Sequence, residues 1–407
     1  MMKAGPKKKN IVIFTIYFPP VISIASYRLE AFAKYLDKGK FNITVICPEI
    51  DSEDAYSEIN SVNVIRLANK PHFLKVKFRN NDSFFLHKFK ALYNRIFNLF
   101  VHDEYRTWKR KAITEFKKLN SIEDVDYVVS TYPVVAPHLA ALELKKQGFG
   151  FKWIADMRDE MSQNPFSNYF KRRYLEKIER KLFSEANCIT TVTPGCVASF
   201  KDLVQNKIII EEIRNGYDFE ITDDYNYNDV FTITHTGTFY ADIKPFSFLK
   251  VISLMLSENI LPKMKIVFVG AGNSISIPEE LKGIVSTTQR IPHVFAEQKI
   301  KESDANLLIL PKSSSIAIPG KLYEYIAAQK PVLALAENDS EAAKLINVCN
   351  AGYIAGFNNT DEIKQNILKA HELWKGRKRL KVKVGYIKQY HRKVQVKKLE
   401  KLILEKL

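Results

Sequence analysis

Short apolar runs rich in β-branched residues alternate along the 407 residues with longer segments whose apolar positions recur at helical spacing. The short runs are typical of buried parallel strands, and a period near 3.6 is typical of amphipathic helices. In the first half, strands are predicted at residues 11–18, 42–47, 63–67, 127–130, 152–155, 188–192 and 208–214. The predicted helices lie at residues 27–38, 83–100, 105–119, 136–146, 168–185 and 195–203.

A polar stretch without apolar periodicity, residues 222–229, precedes a second half in which the alternation restarts. This half predicts strands at residues 231–236, 265–269, 284–287, 305–310 and 331–335. It predicts helices at residues 245–257, 277–282, 296–302, 321–329, 341–348 and 360–376, and an amphipathic terminal helix at 386–407. Because alternating strands and helices build parallel sheets, we expect an α/β protein with two doubly wound, Rossmann-like domains facing a cleft. The expected domains are residues 1–222 and 231–385, with a linker at 223–230.

Composition excludes several classes of protein. The four cysteines form no C-x-x-C pair, so neither a disulfide framework nor a zinc site is predicted, and a reducing cytosol fits best. The basic start followed by residues 11–26 imitates a signal peptide, but Pro19 and Pro20 interrupt the apolar run too early. No apolar run reaches the ~20 residues that a membrane-spanning helix needs.

The formal charge of +17 is concentrated in part of the chain. Residues 72–111 carry ten Lys or Arg against three acidic residues. A basic segment of this kind can bind nucleic acid, an anionic membrane or a polyanionic substrate. We find no nucleic-acid-binding motif, so nucleic acid is not predicted as a partner. Aromatic residues at helical spacing interleave with these charges, so the segment is either a packed amphipathic pair with a solvated basic face or a surface that docks on an anionic membrane.

The phrase Ile318-Pro319-Gly320-Lys321-Leu322-Tyr323-Glu324 is the most informative in the chain. Pro319 and Gly320 predict a turn that opens a helix, whose free backbone N–H groups suit an anion such as a diphosphate. Glu324, one turn further on, can accept hydrogen bonds from a pair of sugar hydroxyls. The alternative is an amphipathic helix and strand with a solvated glutamate.

A second phrase, Asp156-Met157-Arg158-Asp159, follows a buried strand. Ligands bind at the carboxyl ends of strands in α/β sheets, so these charges are candidates for function. An internal salt bridge that closes the loop is the alternative.

These phrases, taken with others in order, resemble those of glycosyltransferase family 4, and residues 153–159 resemble the subgroup that assembles bacterial surface polysaccharides. The other matching phrases are Tyr17-Phe18-Pro19-Pro20-Val21, Thr236-Gly237-Thr238, Lys244-Pro245, Val267-Phe268-Val269-Gly270-Ala271-Gly272 and Ile291-Pro292-His293. The resemblance implies the GT-B fold, with a nucleoside-diphosphate sugar on the second domain, the acceptor on the first, and the terminal helix returning to the first. It further implies sugar transfer with retention to a glycan or lipid-linked acceptor, in the cytoplasm or on the inner face of the plasma membrane.

The resemblance assigns roles residue by residue. Catalytic candidates are Asp156, Arg158, Asp159, Lys244 and Glu324. Donor-binding candidates are Gly237, Thr238, Lys244, Gly270, Pro292, His293, Pro319, Gly320, Lys321, Leu322 and Glu324. Candidates at the acceptor or in the cleft are Pro20, Arg28 and His138. No metal site and no separate cofactor are predicted.

The chain departs from the family pattern at several positions. Ile316 stands where the family often has a second glutamate, and Thr238 stands where many members have an arginine, which makes Lys244 the stronger phosphate-binding candidate. Ser130 and Thr131 replace a strand-end histidine. Two other functions stay open from the sequence: a nucleotide-sugar epimerase of the same fold, and a non-enzymatic basic protein that binds nucleic acid or membranes.

Overall fold

The computed structural model describes residues 7–50, 54–69, 83, 85–86, 88–93, 104–163, 169–204, 208–239, 243–272, 274–310 and 315–407. The chain forms two compact units. Unit 1 comprises Met1–Val192, Cys196–Ile213 and Val396–Leu407. Unit 2 comprises Thr193–Gly195 and Arg214–Gln395.

Unit 1 is built on an eight-stranded sheet of order β3-β4-β2-β1-β5-β6-β7-β8. The strands are β1 Lys9–Phe14, β2 Phe41–Pro48, β3 Tyr56–Ile59, β4 Val62–Leu67, β5 Tyr127–Thr131, β6 Lys152–Asp156, β7 Cys188–Thr191 and β8 Ile209–Glu212. Only the edge pair β3–β4 is antiparallel among these described strands. In the centre, Ile13 of β1 pairs with Val45 on one side and Val129 on the other, which explains why the middle of each of these strands is apolar.

The helices of this half are α1 Ile24–Tyr35, α2 Arg106–Ile122, α3 Ala136–Lys146, α4 Tyr169–Glu185 and α5 Pro194–Val204. Ser23 starts α1 by accepting a hydrogen bond from the Ser26 amide. The end of the chain packs into the core of unit 1 through Val396, Leu399, Leu402 and Ile403. Tyr127 also donates a 3.2 Å hydrogen bond to the Ile403 carbonyl. The return of the chain's end to the first domain is therefore confirmed.

Unit 2 is built on a six-stranded parallel sheet of order β11-β10-β9-β12-β13-β14. The strands are β9 Phe231–Thr236, β10 Met264–Val269, β11 Val285–Thr287, β12 Ala305–Ile309, β13 Val332–Leu335 and β14 Gly352–Ala355. The helices are α6 Phe246–Ser257, α7 His293–Glu302, α8 Gly320–Ala327, α9 Glu341–Cys349 and α10 Thr360–Lys375. In chain order the sheet reads 3-2-1-4-5-6, the doubly wound arrangement of dinucleotide-binding domains. Its winding reverses between β9 and β12, so the loops that follow these strands are where such a sheet binds ligands.

The predicted α/β class with two doubly wound sheets is confirmed, and several elements differ. The strands β3 and β14 were not predicted. The helix predicted at residues 277–282 is only a 3₁₀ turn, Glu279–Leu281, which begins after Pro278. The helix predicted at residues 83–100 lies partly outside the described residues, but residues 88–93 are helical. Among the described residues, no helix has the length and apolarity to cross a membrane.

The predicted terminal helix is interrupted. It consists of α11 Val384–Ile387, a 3₁₀ turn at Lys388–Tyr390, and α12 Arg392–Glu405. Between them, extended His391 forms a β-bridge with Tyr217, and the Arg392 amide donates to the Tyr217 carbonyl at 2.9 Å. Gly216 permits this approach, because a Cβ atom there would lie 1.9 Å from the Tyr390 carbonyl oxygen. Helical periodicity could not predict this break, because the break depends on a pairing with a residue far away in the sequence.

Candidate functional site

The loop after β9 lies where the sheet of unit 2 reverses its winding, and it contacts the loop after the neighbouring strand β10. Gly237 follows β9 with φ 118°, and its amide donates a 2.8 Å hydrogen bond to the Val269 carbonyl at the end of β10. Thr238 donates through Oγ1 to the Gly270 carbonyl at 3.3 Å. Gly270 itself has φ 84°, in the left-handed region that glycine tolerates. The two glycine turns therefore form one backbone platform.

Lys321, in the first turn of α8, reaches this platform. Its Nζ donates to the Thr236 carbonyl and lies 3.5 Å from His235 Nε2. Burial lowers the pKa of Lys321 to about 8, although Glu324 opposes the shift. Among the described residues, Lys321 forms no ion pair. A partly desolvated ammonium group without a carboxylate partner favours an anionic ligand.

His235 supports the lysine from inside β9. Its Nδ1 lies 2.9 Å from the Leu307 carbonyl of β12 and must donate to it, so Nε2 accepts from Lys321. Burial, and then the charge of Lys321, hold the pKa of His235 well below its usual value. The neutral ring stacks on Phe239 with a centroid distance of 4.5 Å. A neutral histidine here orients the lysine without competing for an anion.

The helix α8 is fixed against β9 by Tyr325. Its hydroxyl accepts from the Thr236 amide at 2.9 Å and contacts Thr236 Oγ1 at 3.1 Å. Leu322 is fully buried in the core of unit 2, and no side chain caps the start of the helix at Pro319. The position of Gly320 and the first turn is therefore set by packing and by the Tyr325 hydrogen bonds.

Glu324 is held in a fixed orientation by two basic side chains. Its Oε1 lies 2.9 Å from His293 Nε2 and 3.3 Å from Arg392 Nη2. Only 6% of the residue is exposed. His293 begins α7 directly after Pro292, and Arg392 begins α12. In the described part of the chain both contacts go to Oε1, which leaves Oε2 available to accept hydrogen bonds from hydroxyl groups.

Two further cations lie beside the glycine platform. The guanidinium of Arg290 contacts Thr238 Oγ1 at 3.3 Å through Nε and at 3.2 Å through Nη2. Arg290 thus brings a guanidinium group to Thr238, the position at which the sequence departs from the family 4 pattern that it resembles. Lys244 Nζ donates to the Ser274 carbonyl at 3.2 Å, just after the glycine turn.

In unit 1, Asp156 at the end of β6 has buried internal partners. Arg28 forms a two-pronged ion pair with Asp156, Nε to Oδ2 at 3.1 Å and Nη2 to Oδ1 at 2.8 Å. Thr190 donates to Oδ1 at 2.7 Å and Thr131 donates to Oδ2 at 3.1 Å. Burial alone would raise the pKa of Asp156, but Arg28 and the hydroxyl group of Thr190 hold it below its usual value. These contacts favour the internal ion pair for Asp156 and Arg28.

The other candidates of unit 1 are dispersed. His138 is buried with Nδ1 2.6 Å from Ser130 Oγ, which accepts from Trp153 Nε1 at 2.7 Å. Burial lowers the pKa of His138 to about 4, so the ring is neutral. Pro20 is exposed, Asp159 is exposed, and Arg158 is buried. Within the described ranges, no group of three His, Cys, Asp or Glu residues could hold a metal ion.

Sequence reasoning did not assign His235, Arg290 or Arg392. His235 is an ionisable residue inside a strand that otherwise contains only Phe, Ile and Thr, which was a usable signal. Arg392 lies 68 residues from Glu324, and no local pattern links the two.

Comparison with known proteins shows the fold. No protein-family model matches the chain, and no curated protein matches it significantly by sequence. The sucrose-phosphate synthase from Thermosynechococcus elongatus is 11% identical, with 97% of this chain and 98% of that chain covered at a TM-score of 0.70. The Escherichia coli structure described as trehalose-6-phosphate bound with UDP-2-fluoro glucose is 10% identical, with 98% and 99% covered at 0.61. The lipopolysaccharide outer core galactosyltransferase WaaB is 12% identical, with 98% and 100% covered at 0.57. The chain therefore has the GT-B fold.

Proposed function

We propose that this chain is a glycosyltransferase that moves a sugar from a nucleoside-diphosphate sugar to an acceptor. The observation that carries the proposal is the Lys321 ammonium group, which lies beside Gly237 and has no carboxylate partner in the described part of the chain. It stands one helical turn from the oriented carboxylate of Glu324. A diphosphate on Lys321 and a ribose on Glu324 Oε2 match the two ends of a nucleoside diphosphate.

The arrangement suits a leaving diphosphate. As the bond between the sugar and the phosphate breaks, negative charge grows on the phosphate oxygens, and preorganised cations lower the energy of that state. Lys321 and the start of α8 would act from one side, and Arg290 and Lys244 would supply further positive charge. Glu324 would bind and orient the nucleoside. We assign no residue as nucleophile or base.

The finer parts of the proposal rest on the resemblance to family 4. They are retention of configuration, a glycan or lipid-linked acceptor, and a role in surface polysaccharide assembly. The similarity in fold to a lipopolysaccharide galactosyltransferase is compatible with them. The anionic inner face of the plasma membrane is the proposed place of action, where exposed Phe85 and Phe89 and the basic residues Lys88 and Lys90 could contact lipid.

A panel of nucleotide sugars tested by thermal shift provides the first experiment. A donor at 100 times its Kd stabilises by about 2.7 kcal/mol, so the true donor should stand out. Glu324→Ala should abolish most of that shift. If no nucleotide sugar shifts the wild-type protein, the proposal is wrong and a non-enzymatic function is favoured.

Turnover then separates the enzymatic alternatives. A transferase consumes donor only when an acceptor is added, apart from slow hydrolysis, whereas an epimerase converts donor without one. Turnover should also survive EDTA, because Lys321, Arg290 and Lys244 can carry the charge that a metal would otherwise neutralise. Loss of turnover with EDTA and its recovery with Mg²⁺ or Mn²⁺ would contradict metal independence.

A further inference from the structure

Arg158 is a buried guanidinium group whose hydrogen-bonding capacity is largely unused. Its Nε and Nη1 are both buried and make no hydrogen bond to the described residues. Only 7% of the residue is exposed. Burying a charge without partners is costly, so the fold must compensate the guanidinium group with an internal carboxylate or leave it ready for a ligand.

Two carboxylates act electrostatically on Arg158, and one of them, Asp156, has no free acceptor site. Asp156 receives two hydrogen bonds on each oxygen: Oδ1 from Arg28 and Thr190, and Oδ2 from Arg28 and Thr131. A carboxylate offers about four acceptor sites, so Asp156 has none left for Arg158. The other nearby carboxylate, Asp159, is exposed and forms no ion pair with Arg158 among the described residues.

The location of Arg158 is that of a ligand-binding group. It follows the carboxyl end of β6, which lies next to β5 in the sheet. Tyr132 follows β5, and Asp159 acts electrostatically on both Tyr132 and Arg158. Burial raises the pKa of Tyr132, so its phenol stays protonated and can donate a hydrogen bond. A forked guanidinium group after one strand and a phenol donor after the neighbouring strand complement a carboxylate or phosphate group.

We propose that Arg158 binds an oxyanion, the phosphate or carboxylate group of an acidic acceptor, at the carboxyl ends of β5 and β6. Assigning this oxyanion to the acceptor rests on the proposed function, but the oxyanion site itself does not. The unit would then carry a buried cation at a cost in stability that ligand binding offsets.

The test titrates inorganic phosphate and glucuronate, each at constant ionic strength, by calorimetry. Phosphate could also enter the site beside Lys321, so all proteins carry Lys321→Met. The comparison is between that background alone, the background with Arg158→Met, and the background with Arg180→Met. Arg180 is an exposed arginine of the same unit that pairs with Glu176 and serves as the control.

We expect the background protein and the Arg180→Met control to bind at least one of the two anions. Arg158→Met should weaken that binding by at least tenfold. Preference for phosphate would indicate a phosphorylated or lipid-diphosphate acceptor, and preference for glucuronate would indicate an acidic sugar. Binding of neither anion, or equal binding with Arg158→Met, would overturn the proposal.

A second measurement does not depend on ligand. Because Arg158 forms no ion pair with the described residues, Arg158→Met should leave the thermal midpoint unchanged or raise it, whereas Arg28→Met should lower it. A fall with Arg158→Met as large as that with Arg28→Met would show that Arg158 is a structural ion-pair member. Nucleotide-sugar binding by the wild-type protein is measured in parallel. Its failure would count against the proposed function alone, while failure of anion binding would count against Arg158 alone.

Discussion

Lys321 places its ammonium group next to the point where a side chain on Gly237 would begin. A Cβ atom built on Gly237 would lie 2.8 Å from Lys321 Nζ, and the glycine has φ 118°. The loop therefore needs glycine for its backbone conformation, and a side chain there would also displace the amine of Lys321. The pairing also keeps the ammonium group against the backbone that would face a phosphate.

We expect Gly237→Ala to lower stability by about 1–3 kcal/mol because alanine is strained at this φ. It should also weaken nucleotide-sugar binding, because the lysine must move. Urea unfolding and calorimetric titration would measure the two effects. Gly283→Ala is the matched control, since a Cβ atom there meets nothing within 4 Å and the position needs no left-handed φ. Equal behaviour of the two variants would remove the role given to Gly237.

The pKa of Lys321 predicts how donor binding depends on pH. Burial brings this pKa to about 8 from the usual 10.5, so the ammonium group loses its proton as pH rises through about 8. Donor affinity should fall over that interval. The free energy of unfolding changes in the opposite direction. Between pH 8 and 10.5 Lys321 is protonated more in the unfolded chain than in the folded protein, so its contribution to the free energy of unfolding increases with pH.

Lys321→Arg provides the control for the pH effect. Arginine keeps its charge to a much higher pH, so the fall in affinity above about pH 8 should flatten, whatever the affinity itself becomes. Titrations of one nucleotide sugar at several pH values would measure both slopes. Identical pH profiles for the wild type and the variant would show that another group controls binding.

Substitutions of Glu324 and of Arg392 should lower donor affinity to different extents, because Glu324 would contact the donor whereas Arg392 only positions Glu324. We expect Glu324→Ala to cost roughly 1.5–3 kcal/mol in donor affinity, about tenfold to a hundredfold, because a charge-assisted hydrogen bond is lost. Lys244→Ala should cost a similar amount through lost charge. Arg392→Met should cost less, because it frees the carboxylate without removing it.

An analogue that lacks a ribose hydroxyl makes the test specific. The wild type should prefer the complete ribose, Glu324→Ala should lose that preference, and Arg392→Met should keep part of it. If Glu324→Ala discriminates as well as the wild type, Glu324 does not bind the ribose.

Most strands could be predicted from the sequence because a buried strand is marked by the apolar pattern of its own consecutive residues. Interior strands such as β13 and most of β1 are buried on both faces, and their apolar runs indicate this. The edge strands β3 and β14 are only partly buried, with weaker patterns, and were missed. The break at His391 depends on Tyr217, which lies far away in sequence, so helical periodicity continued through it.

The candidate site divides in the same way. Gly237, Gly270, Lys321 and Glu324 could be named from short phrases, because each phrase is a strand end or helix start. Their partners could not. Arg290 contacts Thr238, and Arg392 contacts Glu324, only because the fold brings separate segments of the chain together.

In unit 1 the sequence left two interpretations of the phrase Asp156-Met157-Arg158-Asp159 open, a functional site and an internal salt bridge. The structure gives Asp156 an internal partner, Arg28, and leaves two nitrogen atoms of Arg158 without a hydrogen bond to the described residues. The different environments of Asp156 and Arg158 depend on Arg28, which lies 128 residues from Asp156 in the sequence.

The buried pair Arg28–Asp156 should dominate the stability of unit 1. Arg28→Met leaves a buried carboxylate without its cation, and we expect a loss of about 3–5 kcal/mol. Replacing both residues with apolar ones should cost less than that single change. Urea unfolding followed by a probe in unit 1 would measure this, and a larger loss for the double variant would contradict it.

The same pair predicts sensitivity to acid. Since the folded pKa of Asp156 lies below its usual value, the carboxylate contributes stability above the unfolded pKa, and that contribution is lost as pH falls. Arg28→Met should therefore weaken the dependence of stability on pH below about 4. An unchanged acid profile would mean that other carboxylates control it.

Membrane docking by the basic aromatic segment can be tested separately from catalysis. Lys75 and Lys77 lie outside the described residues, but Lys88 and Lys90 lie in a described helical stretch beside Phe85 and Phe89. Those two phenylalanines are 83% and 66% exposed. Each basic residue near an anionic surface adds about 1 kcal/mol, so changing Lys75, Lys77, Lys88 and Lys90 to Ser should reduce binding to anionic vesicles by well over tenfold. Nucleotide-sugar binding should persist, because unit 2 is unchanged.

The matched control removes the same charge elsewhere. Changing the exposed residues Lys250, Lys263, Lys265 and Lys282 of unit 2 to Ser lowers net charge equally and should leave vesicle binding nearly intact. Wild-type binding should weaken steeply as salt rises, because the Debye length shortens to about 10 Å at 0.1 M and attraction over longer distances is then screened. Equal sedimentation with neutral and anionic vesicles, or equal loss in both quadruple variants, would leave the segment as an ordinary amphipathic element with a solvated basic face.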